Sequence, residues 1–433
     1  MAQTKTDSGG RSSLLPRRCC RGACASALIA GAVLAAPALA GAQPPPPEAS
    51  NPSNPPPPAI PPAPVPPPPA LPAFDPKVAV GGWLRVGGRA QNPSTYNEIN
   101  DFFMDQLYVI AALRGQITRW LRWQINLNAN HYTPPGDQAT DAELVYATAG
   151  VQDLIVRIEP HDLFNVWVGR MLVPLDRANI SGPWFINYWL FRGVFPGRLG
   201  NTPPPLGIKS GLFGRDEGVT VWGQVGGGKF KYFVAALDLD GQNSVNKPNF
   251  VGRLCLNLLD PEPGYYHQSA YHGEKDILAI GAGVQYQKNG SVTIVPVTNP
   301  ATQTGDLLIF EVDALLDKKL GSAGVLTAEV DAYFMDKVQP VNRLFVFNLG
   351  YVSPPMGPGR LGPAVRYQFT MVPADREVGL DQNYRQIDGY VQYLIKSHFA
   401  KIMVGGFYTT MRTALGPTGG AKGIQIGIQL IHL

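Results

Sequence analysis

Thr118-Arg-Trp-Leu-Arg-Trp-Gln-Ile-Asn-Leu-Asn-Ala-Asn130 places Leu121, Trp123, Ile125, Leu127 and Ala129 on one face and Arg122, Gln124, Asn126, Asn128 and Asn130 on the other. A period of two is the signature of a β-strand with one apolar and one polar side. The same alternation returns at Leu308–Asp317, where Leu308, Phe310, Val312, Ala314 and Leu316 oppose Glu311, Asp313 and Asp317. It recurs at Leu326–Phe334 and at Ile424–Leu430. Helical periodicity is scarce beyond Lys77, so the body of the chain reads as all-β.

Alternation alone also suits a soluble sandwich. Three features favour a membrane-spanning barrel. No stretch of the body is apolar for the roughly 20 residues that a membrane helix needs. Aromatic residues gather near strand ends, as at Trp120 and Trp123, Tyr265 and Tyr266, Phe345 and Phe347, and Phe407 and Tyr408, where a membrane girdle would lie. Connections alternate between tight turns, such as Gln116–Thr118 and Gly226–Gly228, and long loops, such as His131–Asp141 and Asn289–Gly305. That asymmetry characterises outer-membrane barrels.

Counting on this rule predicts a 16-stranded antiparallel transmembrane β-barrel over residues 77–433, with strands from 78–90 to 422–432. Sixteen strands enclose an aqueous space rather than a filled core. Asp260–Lys275 is long for the side of the barrel on which the count places it.

Upstream, Arg17 and Arg18 precede an apolar run ending in Ala38-Leu39-Ala40, the pattern of a secretory signal peptide over residues 1–42. Residues 43–76 are proline-rich and nearly uncharged, the composition of a polyproline II spacer. It reads either as a periplasmic linker touching the cell wall or as an idle tail. Without the leader the chain has 31 basic and 31 acidic residues, so its formal charge falls from +4 to zero. Overall charge therefore says nothing about nucleic acid or acidic partners, and no nucleic-acid partner is expected. Of the four cysteines only Cys255 lies beyond the leader, so no internal disulfide or paired-cysteine metal motif is expected.

The longest connection, Pro174–Arg215, carries Trp184, Phe185, Tyr188, Trp189, Phe191 and Phe195 together with Arg177, Arg192, Arg198, Lys209 and Arg215. Its one acid is Asp176. So many aromatics need a surface to pack against, which predicts a third loop folded into the lumen. The basic residues form either an anion filter or pins paired with acids on the wall. Arg85, Arg89, Arg122, Arg253 and Arg366 share parity with polar neighbours or oppose an apolar face, which places each along the lumen or at a rim. Gly223–Lys229 matches the spacing of a phosphate-binding loop, but Phe230 replaces the hydroxyl residue, so a hairpin turn is expected. No nucleophile motif or histidine cluster points to an enzyme or a cofactor.

Val166-Trp-Val-Gly-Arg-Met-Leu-Val-Pro-Leu175, Arg215-Asp-Glu-Gly-Val219 and Gly359-Arg-Leu-Gly-Pro-Ala-Val-Arg-Tyr367 resemble motifs of the phosphate-selective porins of the O and P type. The resemblance implies a bacterial outer-membrane homotrimer that passes small anions such as phosphate. The chain departs from that pattern in the acidic faces around Glu311 and Glu329 and in its Ile431-His432-Leu433 end. A non-selective general porin and a closed barrel anchored to the wall are the alternatives.

Overall fold

The computed structural model describes residues 78–93, 101–132, 146–189, 194–195, 198–199, 214–238, 247–293, 303–336, 343–371, 382–413 and 416–432. The expected leader and proline-rich linker lie outside the described residues. The first half of the chain contributes β1 (Val78–Pro93), β2 (Asp101–Gln116), β3 (Leu121–Tyr132), β4 (Tyr146–His161), β5 (Phe164–Leu172), the short helix α1 (Arg177–Ser181), β6 (Val194–Phe195), β7 (Arg198–Leu199), β8 (Arg215–Val225) and β9 (Phe230–Leu237). The second half contributes β10 (Asn249–Asn257), β11 (Ile277–Thr293), β12 (Gln303–Lys319), β13 (Val325–Asp336), β14 (Arg343–Val352), β15 (Arg360–Met371), β16 (Gln382–Lys396), β17 (Ala400–Thr413) and β18 (Gly416–His432).

Sixteen of these strands form one closed antiparallel barrel, and β6 pairs with β7 in a separate two-stranded sheet. Neighbours in sequence are neighbours in the wall, except that β5 pairs with β8 across the long third loop. The ring shuts where β1 meets β18, from Gly82 opposite His432 to Pro93 opposite Ala421. Closure leaves no unpaired edge, the condition for β-structure to survive in hydrocarbon.

The pleat assigns alternate residues to opposite environments. On β12, Leu308, Phe310 and Val312 are exposed on the outside, whereas Glu311 and Asp313 are buried inside. The exterior is therefore apolar and the interior carries the charges. The interior is not uniformly polar, because Leu307, Ile309, Leu344 and Val346 also point inward and pack around Val173 and Leu175 of the third loop. Tyr265 and Phe407, expected in the membrane girdle, are buried inside instead. Gly226–Lys229 is the expected tight turn between β8 and β9.

Candidate functional site

The third loop enters the lumen as soon as β5 ends. Asp176 caps α1 by accepting a 2.7 Å hydrogen bond from the Asn179 backbone N–H, and Asn179 Nδ2 donates to Val173 O at 2.6 Å and Gly214 O at 3.0 Å. These bonds tie the two roots of the loop together. Gly283 on β11 makes room for the entry, since a Cβ there would lie 2.0 Å from Leu175 O.

Residues 183–189 then reach the far wall. Arg85 of β1 donates to Pro183 O at 2.7 Å and to Trp189 O at 3.2 Å, with its guanidinium over the Trp184 and Trp189 rings. Lys401 of β17 donates to Ile186 O at 2.9 Å, and Gln392 of β16 donates to Asn187 O at 2.7 Å. The Trp189 indole lies where side chains at Gly87 and Gly427 would otherwise stand. Sequence-distant glycines thus shape the seat of one aromatic ring.

A second insertion enters from the opposite rim. The connection from β10 to β11, residues 258–276, would be a turn in a plain barrel, but it folds inward. Tyr265 stacks on Trp167 with ring centroids 4.1 Å apart and donates its hydroxyl to Leu172 O at 2.8 Å. The two insertions touch where the Ser269 N–H donates to Phe185 O at 3.1 Å. His272 Nε2 lies 2.7 Å from Asn187 Oδ1.

Paired charges hold both insertions. Arg177 meets Glu262 through two contacts of 2.8 Å, donates to Gln268 O at 2.9 Å and lies 3.8 Å from Asp313. Burial works to raise the Glu262 carboxyl, but Arg177 outweighs it and holds the group below the usual carboxylate range. Arg253 pairs with Asp313 at 2.6 Å and Glu311 at 3.1 Å, Arg215 with Asp153 at 2.5 Å, and Arg366 with Asp388 at 2.7 Å. Arg366 also covers the Tyr188 ring. Arg122 lies 3.2 Å from Glu159 at the short-turn rim, half exposed. Arg192 and Lys209 lie outside the described residues, as do the side chains of Arg89 and Arg198. Arg85, Arg253 and Arg366 are each buried against the third loop, at Pro183, Leu175 and Tyr188 respectively.

Sequence reading missed the partners. Asp153, Glu262, Asp388, Lys231 and Lys401 are all buried. Among the described buried residues, seven Lys or Arg side chains stand against ten Asp or Glu, so the described part of the interior has no cationic excess. Two described clusters bring metal-ligating atoms within 4.8 Å of one another: Glu311, Asp313 and Asp331, and Cys255, Glu262 and His267. Arg253 and Arg177 already partner the first.

A closed 16-strand antiparallel barrel with an apolar exterior and a charged interior is a transmembrane β-barrel of the bacterial outer membrane. No family model and no curated protein matches the chain. Solved structures do match. OprB of Pseudomonas putida, in its high-pH structure, is 12% identical with a TM-score of 0.52, covering 82% of this chain and 94% of its own. Salmonella typhi OmpF in complex with daunomycin is 13% identical with a TM-score of 0.51, covering 82% and 97%. In-vitro-folded OmpT of Vibrio cholerae, in a trimer form, is 12% identical with a TM-score of 0.50, covering 83% and 100%. At such identities the likeness is one of fold.

Proposed function

We propose that this chain forms a narrow outer-membrane diffusion channel of the porin kind, constricted by residues 174–189 from one rim and 258–276 from the other. The observation that carries this reading is the lumen itself, polar and charged yet crossed by two insertions that bind both walls. Passive passage needs no catalytic group. Trimeric assembly is part of the proposal, supported by the trimer form in which the similarly folded OmpT is described.

Charge selectivity follows from pairing. Arg177, Arg215, Arg253 and Arg366 lie against carboxylates, and a paired arginine attracts a passing anion far less than a lone one. An anion preference, for phosphate or any other small anion, would rest on Arg192, Arg198 and Lys209. Reversal potential across a planar bilayer under a salt gradient tests this. Replacing Arg192 and Arg198 by Glu lowers anion over cation permeability if they form the filter, and leaves it unchanged in a general porin.

A second reading, a barrel closed by its own insertions, has support of its own. Inward-facing Asn126, Gln287, Asp331 and Gln368 are each no more than 1% exposed. Folded protein without conductance steps would favour it.

A further inference from the structure

We propose that Cys255, Glu262 and His267 form a zinc-class divalent-metal site that clips the inner segment 258–276 to the barrel wall. Cys255 belongs to β10, whereas Glu262 and His267 belong to the segment that follows it. The sulfur, a carboxylate oxygen and a ring nitrogen all lie within 4.8 Å of one another. Tetrahedral zinc holds such donors roughly 3.3–3.6 Å apart, a closure within reach of side-chain rotation.

His267 is the second, independent observation. It is 2% exposed, yet neither ring nitrogen has a hydrogen-bond partner. A buried imidazole ordinarily satisfies both nitrogens, and one left with neither is a group built to bind something. Thiolate, imidazole and carboxylate together suit zinc better than calcium or magnesium, which prefer oxygen alone.

Glu262 has room for the ion despite its partners. A carboxylate offers about four acceptor positions. Arg177 takes one on each oxygen, and the Tyr271 hydroxyl takes a second on Oε1 at 2.5 Å. One position on Oε2 is left for the metal, with Arg177 as the outer partner that orients the ligand. Arg177 Nη2 also lies 3.9 Å from Cys255 Sγ. On binding, the thiol releases its proton to solvent as the sulfur–metal bond forms. The new negative charge on sulfur offsets part of the ion's charge beside Arg177 and the buried Lys231.

The test uses the full chain refolded in detergent with zinc and then washed, with folding verified by heat-modifiable migration. Metal content should be about one zinc per chain, and cobalt in its place should give thiolate-to-cobalt charge-transfer absorption. His267→Ala should lose the stoichiometric metal, and Cys255→Ser should lose the charge-transfer band. Folded wild-type protein that retains no zinc and shows no such band overturns the site. So does a His267→Ala protein with undiminished metal. Should that variant fail to fold, the near-isosteric Cys255→Ser decides, because an unchanged metal content and band overturn the assignment.

Discussion

Arg177 and Glu262 meet through two parallel 2.8 Å contacts deep in the barrel, although one arrives on the loop from one rim and the other on the segment from the opposite rim. Both side chains are almost fully buried. Removing one partner of such a pair leaves an uncompensated charge out of water, at about 3–5 kcal/mol. Glu262→Gln should therefore lower the unfolding free energy by that amount, read as a lower denaturant midpoint of the barrel in detergent. A midpoint equal to wild type would show that the pair does not hold the insertions.

The histidine pair at the far wall sets a pH dependence. His272 and His398 stack 4.2 Å apart, and His272 is bracketed by Asn187, Ser397, Lys401 and the Arg360 guanidinium that binds its carbonyl. Burial, then Lys401 and Arg360, push the His272 pKa down to about 3. Burial, then His272 and Lys401, lower His398 as well. The unfolded chain binds these protons near pH 6.5, so the native state has its full stability above that pH. Stability should fall as pH drops from about 6.5 toward 3. Thermal midpoints across that window check the slope, and His272→Asn should flatten it.

A side chain at Gly427 has no room. Its Cβ would lie 2.2 Å from the Trp189 ring. Gly427→Leu should expel that ring from its seat against β1 and β18 and cost about 1–3 kcal/mol. Tryptophan emission shifted to the red, together with a lowered melting point, is the expected reading. Unchanged emission would place Trp189 elsewhere.

Asp388 screens Arg366 at 2.7 Å. Asp388→Asn removes that screen and should move the reversal potential toward anions while conductance persists. An unmoved potential would show that Arg366 does not face the permeation path.

The wall was readable because its physics is local. Alternation at Thr118–Asn130 or Leu308–Asp317 follows from the pleat, and strand ends predicted at 324–336 and 343–353 lie within a residue of β13 and β14. The aromatic load of the third loop marked it as a segment that packs, and Trp184, Tyr188 and Trp189 are buried. What filled the lumen was not readable, because Glu262 lies 85 positions from Arg177 and no period links them. A signal was nonetheless present. Asp260–Lys275 was too long for a turn and carried Tyr265, Tyr266 and Tyr271, the same mark of packing that distinguished the third loop.

The contact between Ser269 and Phe185 joins a chain segment from each mouth of the barrel. Whatever binds at one mouth and shifts Phe185 or Asn187 must change the free energy of arrangements involving Ser269 or His272 at the other. Linkage makes the effect reciprocal. Segments that start from opposite rims are thereby joined by hydrogen bonds within a single chain.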